Sequence, residues 1–129
     1  MPEHCIFCTK TGPDIICEND LAKAFYDRYP VNRGHVLIVP KRHVARFFEA
    51  TTAEIAALNE LAFAVKEILD VSYHPDGYNI GINDGAAAGQ TIFHLHMHII
   101  PRYSGDVPDP RGGIRKIKKS MVPYPAEGE

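Results

Sequence analysis

The 129-residue sequence lacks several features that would place it in a membrane, secreted or nucleic-acid-binding class. It has no run of about 18 apolar residues, so no membrane-spanning helix is expected. Its 14 Lys and Arg against 16 Asp and Glu give a net charge of −2, which argues against attraction of the whole protein to nucleic acid or to an anionic membrane. The N-terminal residues also lack the basic and apolar regions of an export signal, and we therefore expect a cytoplasmic protein.

Cysteine is scarce and tryptophan is absent, whereas histidine is abundant for a chain of this length. The three cysteines cannot all pair within one chain, and two of them, Cys5 and Cys8, are separated by only two residues. In a reducing compartment this spacing is typical of a metal site or a redox pair, although it also occurs by chance. The chain has seven histidines. With 45% hydrophobic residues, it is long enough to form one domain with its own core.

Hydrophobic periodicity predicts one long helix among several short strands. Thr51 and Glu54 have the spacing of a capping box, and apolar residues follow at helical intervals as far as Leu69. Short runs of apolar and β-branched residues predict strands at 15–18, 22–26, 35–39, 78–83 and 94–101. Strands in hairpin succession with a single long helix imply an α+β domain with a largely antiparallel sheet.

The most informative segment is 94–100, HLHMHII, in which histidine alternates with apolar residues. Because the side chains of a strand alternate between its faces, His94, His96 and His98 are expected to share one face. Residues two apart on a strand are separated by about 6.6 Å, so His94 and His98 would lie about 13 Å apart, too far to bind one metal ion together. The three histidines should therefore have different tasks, unless they cluster by chance on a solvated face.

This segment resembles the histidine triad motif, His-φ-His-φ-His-φ-φ with φ apolar, that names the HIT superfamily of nucleotide hydrolases and transferases. Other blocks of the sequence are similar to blocks of that family in the same order, and together they span roughly residues 5–106. They are the run 34–41 with His43, Asn83-Asp84-Gly85, and Gly89-Gln90-Thr91 before the triad. The resemblance implies a HIT-like fold, with a mostly antiparallel five-stranded sheet, one long helix and a short one.

The resemblance also implies cleavage of a nucleotide at its α-phosphorus in two steps. His96 would be the nucleophile that forms a nucleotidyl-histidine, and His98 would act with it on the leaving group. Imidazole, with an unperturbed pKa near 6.5, suits both tasks at neutral pH. The positions that match substrate-binding residues of the family are Asp27 for the ribose hydroxyls, His35 as a fourth histidine, and Asn83, Gln90 and Thr91 around the phosphate. A turn residue is the alternative for Asp27, and a plain core or surface histidine is the alternative for His35.

The same resemblance implies a structural zinc ion. Zinc-bearing members of the superfamily, and the related galactose-1-phosphate uridylyltransferases, bind the metal through two cysteines and two histidines at positions that match Cys5, Cys8, His43 and His94. Four protein ligands would close a tetrahedral site and fasten the N-terminal arm to the sheet. The alternative is a reduced, metal-free pair of cysteines.

The substrate prediction depends on the segment after the triad. Pro101-Arg102-Tyr103-Ser104-Gly105-Asp106 resembles the branch that cleaves dinucleoside polyphosphates, so a compound such as diadenosine tetraphosphate is favoured. The alternatives are a purine nucleoside phosphoramidase, a nucleotide-binding or interaction protein with incidental turnover, and a thiol-disulfide oxidoreductase built on the two cysteines.

Residues 1–110 are expected to form the HIT domain, followed by a basic and extended tail, 111–129. We hypothesise that Arg102 and this tail neutralise the phosphates beyond the scissile bond. Because members of the family are usually twofold dimers, we also expect a homodimer, with the helix 51–69 and the strand after His74 near the interface.

Overall fold

In the computed structural model, residues 4–118 are described. Five strands form one sheet in the spatial order β1-β2-β3-β5-β4, and every neighbouring pair is antiparallel. The strands are β1 (Cys17–Glu18), β2 (Ala22–Tyr26), β3 (Val36–Pro40), β4 (Gly77–Ile82) and β5 (Met97–Arg102). This architecture confirms the predicted α+β class and the five-stranded sheet. Among the described residues, no helix combines the length and apolar character needed to cross a membrane.

The long helix α1 (Thr52–Tyr73) begins at the predicted capping box. The Thr51 hydroxyl accepts a hydrogen bond from the Glu54 N–H at 3.1 Å, and the Glu54 carboxylate accepts one from the Thr51 N–H at 2.9 Å. The helix continues four residues beyond the predicted end at Leu69 and stops at His74, which has a left-handed backbone with φ of 51°. The residue after His74 is Pro75. Because the helical conformation is disfavoured for a residue that precedes proline, the helix ends here.

The two faces of the sheet have different partners. One face packs against α1 in the main core, and the opposite face carries a smaller apolar cluster covered by the N-terminal arm. Alternation along β3 divides the strand between them, because Val36 and Ile38 belong to the main core whereas Leu37 and Val39 belong to the smaller cluster. In register with Leu37 across the sheet lies His98, so this histidine belongs to the face opposite the helix.

Strand β5 begins three residues later than predicted, at Met97 rather than His94. The ladder between β3 and β5 ends at the pair Ile38 and Met97, near Pro40, which has no N–H to contribute. The preceding segment pairs with a loop instead, since the Leu95 N–H donates to the Val44 carbonyl at 2.8 Å. The histidine segment is therefore only partly a strand.

Short 3₁₀ helices take the place of the predicted short helix. They comprise Gly12–Asp14, Phe47–Glu49, Ala86–Ala88 and Gly113–Ile117. The last of these lies in the segment expected to be an extended tail, so the beginning of that segment is folded in a turn. The remainder of the predicted tail, 119–129, lies outside the described residues.

Candidate functional site

The structure separates the three triad histidines into two groups. His96 and His98 are neighbours, with ring centroids 5.0 Å apart. His94 is fully buried and directs Nδ1 toward the sulfur atoms of Cys5 and Cys8, each 3.4 Å away. This separation agrees with the expectation that the three residues have different tasks.

The hydrogen bond to His96 defines which of its ring nitrogens carries the proton. Its Nδ1 lies 2.9 Å from the His94 carbonyl oxygen, which can only accept, so Nδ1 carries the hydrogen. In the neutral tautomer that this hydrogen bond selects, the other nitrogen, Nε2, has the unshared electron pair. The ring is buried and meets the edge of Phe7 with centroids 5.0 Å apart. His96 is thus a buried, fixed ring whose Nε2 is the nitrogen available as a nucleophile.

A second chain of hydrogen bonds defines the proton on His98. The Val31 N–H donates to Nδ1 of His35 at 3.0 Å, which leaves the His35 proton on Nε2. That nitrogen is 3.0 Å from Nδ1 of His98 and 3.4 Å from a carboxylate oxygen of Asp27. Donation from His35 makes Nδ1 of His98 an acceptor, so the His98 proton is on Nε2. At Nε2, His98 can therefore donate a proton, whereas His96 can donate an electron pair.

Burial favours the neutral forms of His35 and His98. Desolvation, together with the neighbouring His96 and His35, lowers the pKa of His98 to about 4 although Asp27 opposes the shift. Desolvation also lowers the pKa of His35, again against the attraction of Asp27. A bound phosphate would favour the protonated form of these rings, because an adjacent negative charge raises the pKa of an imidazole.

Gln90 is placed differently from the role expected for it. Its side-chain amide donates to the carbonyls of Ala45 and Ile92 at 2.7 and 3.1 Å, and its oxygen accepts from the Gly85 N–H at 2.9 Å. Both amide hydrogens are therefore used within the protein, and in this structure Gln90 holds the loop before the triad together. Thr91, the next residue, is exposed.

The Asn83-Asp84-Gly85 block is fixed by Arg46. Its guanidinium donates to the Asp84 carboxylate at 2.8 Å, and the Phe47 N–H donates to the same carboxylate at 2.9 Å. Gly85 has φ of 94°, and a Cβ atom there would lie 2.9 Å from the Arg46 guanidinium. The positive φ favours glycine at this position, and a side chain there would also displace the guanidinium.

Four predicted residues line one cavity of about 460 Å³, namely Asp27, His35, Asn83 and His98. Sequence reasoning missed the rest of its walls, which are largely apolar. These walls comprise Tyr29, Val31, Asn79, Ile80, Gly81, Ile82, Ile100, Ile114 and Ile117. Their spread over β4, β5 and two loops leaves no contiguous signal in the sequence.

The four residues expected to bind zinc form a second cluster. Cys5, Cys8, His43 and His94 each contribute one ligand atom, and these atoms lie within 4.8 Å of one another. The Cys8 sulfur is 3.2 Å from Nδ1 of His43. Ligand atoms of a tetrahedral zinc with Zn–S of about 2.3 Å and Zn–N of about 2.0 Å lie roughly 3.3–3.8 Å apart, so the donor set fits that metal.

Hydrogen bonding and packing also suit a metal site. Nε2 of His94 lies 2.8 Å from the Pro40 carbonyl, which fixes the proton there and leaves Nδ1 as the ligand atom. The buried Lys23 ammonium donates to the carbonyls of Cys8 and Lys10 at 3.4 and 2.9 Å and holds the loop between the cysteines and the sheet. Such a site would be closed on all sides by protein ligands.

Asp27, His35 and His98 also lie close enough to resemble a metal site. The hydrogen bond from the Val31 N–H to His35 Nδ1 argues against a metal here. It places the His35 proton on Nε2, which is the nitrogen that would have to bind the ion. This group is better described as a hydrogen-bonded relay.

Arg102 is occupied by neighbours and does not resemble a phosphate clamp. Its guanidinium donates twice to Asp106, at 2.9 and 2.7 Å, and once to the Asn79 side chain at 2.7 Å. It also lies four residues beyond His98 on β5, which corresponds to about 13 Å along the strand. The hypothesis that Arg102 neutralises distal phosphates therefore receives no support from its contacts.

Several known proteins are similar to this chain in sequence. The HIT domain family matches residues 10–105. An uncharacterized HIT-like protein of Methanocaldococcus jannaschii is 42% identical over 106 residues, covering 79% of this chain and 81% of the relative. An asymmetrical bis(5'-nucleosyl)-tetraphosphatase of Schizosaccharomyces pombe is 36% identical over 107 residues, covering 82% of this chain and 59% of the relative.

The fold is similar to that of solved histidine triad proteins. The crystal structure of a Zn-bound histidine triad family protein from Mycobacterium smegmatis is 30% identical and superposes with a TM-score of 0.74, covering 95% of this chain and 86% of that one. The matched segment contains the triad, the relay and the loop that leads to them. By sequence and by structure, this chain belongs to the HIT domain family.

Proposed function

We propose that the protein is a nucleotide hydrolase that cleaves at the α-phosphorus through a covalent bond to His96. The observation that carries this proposal is the different state of the Nε2 atoms of two neighbouring histidines. His96 has an electron pair on Nε2, and His98 has a proton there. In each ring, the hydrogen bond at Nδ1 determines this state. A nucleotide-binding protein without turnover would need neither.

In the first step, the electron pair of His96 Nε2 forms a bond to the α-phosphorus while the bond to the leaving group breaks. The leaving group takes the bonding electrons and the Nε2 proton of His98. With the substrate phosphate bound, the His98 ring is protonated, so loss of this proton leaves it neutral. The His94 carbonyl stabilises the positive charge that develops on the His96 ring, because it accepts the Nδ1 hydrogen.

In the second step, water forms a bond to phosphorus and the bond to His96 Nε2 breaks. A proton of that water returns to His98 Nε2, which restores the starting state and releases a nucleoside monophosphate. His98 thus acts as acid and then as base, and its low pKa near 4 favours return of the neutral form after each turnover.

Asp27 and Asn83 are the residues that we assign to substrate binding beside the histidines. Both line the cavity that contains His98, as the ribose and phosphate roles require. Thr91 is exposed and accessible to phosphate. Gln90 would support the phosphate site by holding the backbone of its loop, since its amide is already bonded.

Zinc would be held by Cys5, Cys8, His43 and His94, and bound there it would supply structural crosslinking. Burial lowers the pKa of His94, which favours the neutral form that binds a metal. The zinc-bound histidine triad neighbour supports this assignment. Because the His94 carbonyl also orients His96, the metal site and the nucleophile share one residue.

A dinucleoside polyphosphate is our preferred substrate class, supported by the tetraphosphatase relative. A nucleoside phosphoramidate is the alternative, because His98 could equally protonate an amine leaving group. Exposed apolar side chains on α1 and β4, including Phe63, Val71 and Ile80, support the further expectation of a homodimer.

Replacing His96 by alanine tests the mechanism. We expect kcat for diadenosine tetraphosphate to fall by at least about 10⁴-fold, because no other group replaces the nucleophile. His74→Asn is the matched control: it removes another histidine at a left-handed position that asparagine tolerates. Turnover by the His96 variant at the wild-type rate would contradict the proposal.

A further inference from the structure

Lys23 is buried although its side chain carries a charge. It lies on β2 and is only 7% exposed. Its neighbours Ala22 and Ala24 pack in the main core on one face of the sheet, so alternation directs Lys23 to the opposite face, which the N-terminal arm covers. A lysine is almost never fully buried unless a partner offsets the cost of removing its charge from water. The ammonium therefore needs a compensating partner at this position.

No carboxylate acts as that partner within residues 4–118, for which Lys23 forms no ion pair. The residue opposite Lys23 in the ladder between β1 and β2 is Glu18. The Glu18 carboxylate, however, forms its ion pair with Lys41, at 2.8 Å. The Lys23 ammonium donates instead to two backbone carbonyls. Its compensation must come from the segment to which those carbonyls belong.

That segment is the loop with the two cysteine ligands of the proposed zinc site. The ammonium donates to the Cys8 carbonyl at 3.4 Å and to the Lys10 carbonyl at 2.9 Å. The N–H of Cys8 donates to the Cys5 sulfur, 3.4 Å away. The backbone of Cys8 is thus held at its carbonyl by Lys23 and at its N–H by the sulfur of the other cysteine.

Negative charge on the two sulfur atoms is the compensation that the ammonium lacks elsewhere. Cysteine binds zinc as the thiolate, and both cysteines lie in the loop that Lys23 contacts. Desolvation lowers the pKa of Lys23, and attraction to the charges of Cys8 and Cys5 acts against this shift. The ammonium and the thiolates therefore stabilise each other when both thiols are ionised.

We propose that Lys23 is a positioning residue of the zinc site, which holds the cysteine loop in the metal-binding conformation and offsets the charge of its thiolates. The inference rests on the proposed zinc site and adds to it a residue outside the four ligands. Because the compensation depends on the thiolates, Lys23 contributes more to zinc affinity than to the stability of the metal-free protein. Residues that orient metal ligands typically contribute about 10–100-fold to metal affinity.

The substitution Lys23→Met tests the inference, because methionine fills the buried space without a charge or a hydrogen-bond donor. Competition with a chelator of known affinity measures the dissociation constant for zinc. This constant should be about 10–100-fold higher for Lys23→Met than for the wild type. Lys66→Met is the matched control, since it removes an exposed lysine of α1 that pairs with Asp70. It should bind zinc as tightly as the wild type.

Thermal melts with and without zinc distinguish this role from ordinary packing. In the metal-free protein, Lys23→Met should melt no lower than the wild type, because methionine avoids the cost of burying an uncompensated ammonium. At one fixed excess of zinc, the rise in melting temperature should be smaller for Lys23→Met, because weaker binding gives less stabilisation.

A zinc dissociation constant of Lys23→Met within about twofold of the wild-type value would overturn the inference. An equal fall in melting temperature with and without zinc would assign Lys23 to packing alone and would also overturn it. The same holds if Lys23→Met does not fold without metal although the wild type does. Wild-type protein that binds no zinc would refute the zinc site itself, and the inference would fail with it.

Discussion

Removing the His35 side-chain donor should alter catalysis through His98 without touching substrate. His35→Phe keeps the volume of a buried ring but deletes the hydrogen bond of 3.0 Å to Nδ1 of His98. A neutral hydrogen bond contributes about 0.5–1.5 kcal/mol net. Its loss therefore reduces the preference for a proton on His98 Nε2 by a factor of about 2–12.

This magnitude distinguishes a positioning role from a direct one. We expect kcat of His35→Phe to fall about two- to twelvefold with a poor leaving group, because the proton-donating form of His98 becomes less populated. A good leaving group needs no proton, so the effect should almost vanish there. Loss of His98 itself should cost more, about 10²–10⁴-fold.

The assay combines kinetics with nitrogen NMR. Chemical shifts of the two His98 ring nitrogens report which one carries hydrogen, and in the wild type Nε2 should be the protonated one. His35→Gln is the comparison variant, because its side-chain amide retains a donor. An unchanged ratio of the two His98 forms in His35→Phe, or an equal loss of kcat for good and poor leaving groups, would refute the relay.

Two further predictions concern stability. Metal analysis should find about one zinc ion per chain. Removal of the zinc by a chelator, or the substitution Cys8→Ala, should lower the melting temperature. Protein with free thiols and no zinc would contradict the site. Arg42 lowers the pKa of the buried Glu54 carboxyl to about 2. The ionised Glu54 therefore stabilises the fold fully above its ordinary pKa near 4.5, and this stabilisation is lost as the pH falls toward 2. Thermal melts should show Glu54→Gln less stable than wild type at pH 6, with the difference shrinking toward pH 2; a difference independent of pH would contradict this.

The sequence predicted the elements that depend on local periodicity. The capping box at Thr51 and Glu54 and the β-branched strand β3 require only neighbouring residues to be recognised, and both occur as expected. The start of β5 was wrong by three residues because it depends on where the partner strand ends, at Pro40, and on the contact between Leu95 and Val44. Those partners are distant in sequence.

In the candidate site, too, some features could be predicted from the sequence and others could not. The cluster of Cys5, Cys8, His43 and His94 could be anticipated from the family resemblance, and the structure brings the four together. The protonation of His35, in contrast, depends on the backbone N–H of Val31, which any residue except proline could supply. No side-chain pattern encodes that contact, and none encodes the packing of Ile114 over Gly81.

Rapid-quench mass spectrometry detects the covalent bond that we propose between His96 and the nucleotide. Wild-type protein mixed with diadenosine tetraphosphate and quenched within one turnover should gain the mass of a single adenylyl group, and peptide fragmentation should assign it to His96. The acid-deficient variant His98→Ala should also acquire the adduct, more slowly. Steady turnover without any adduct, or an adduct on a residue other than His96, would contradict the account.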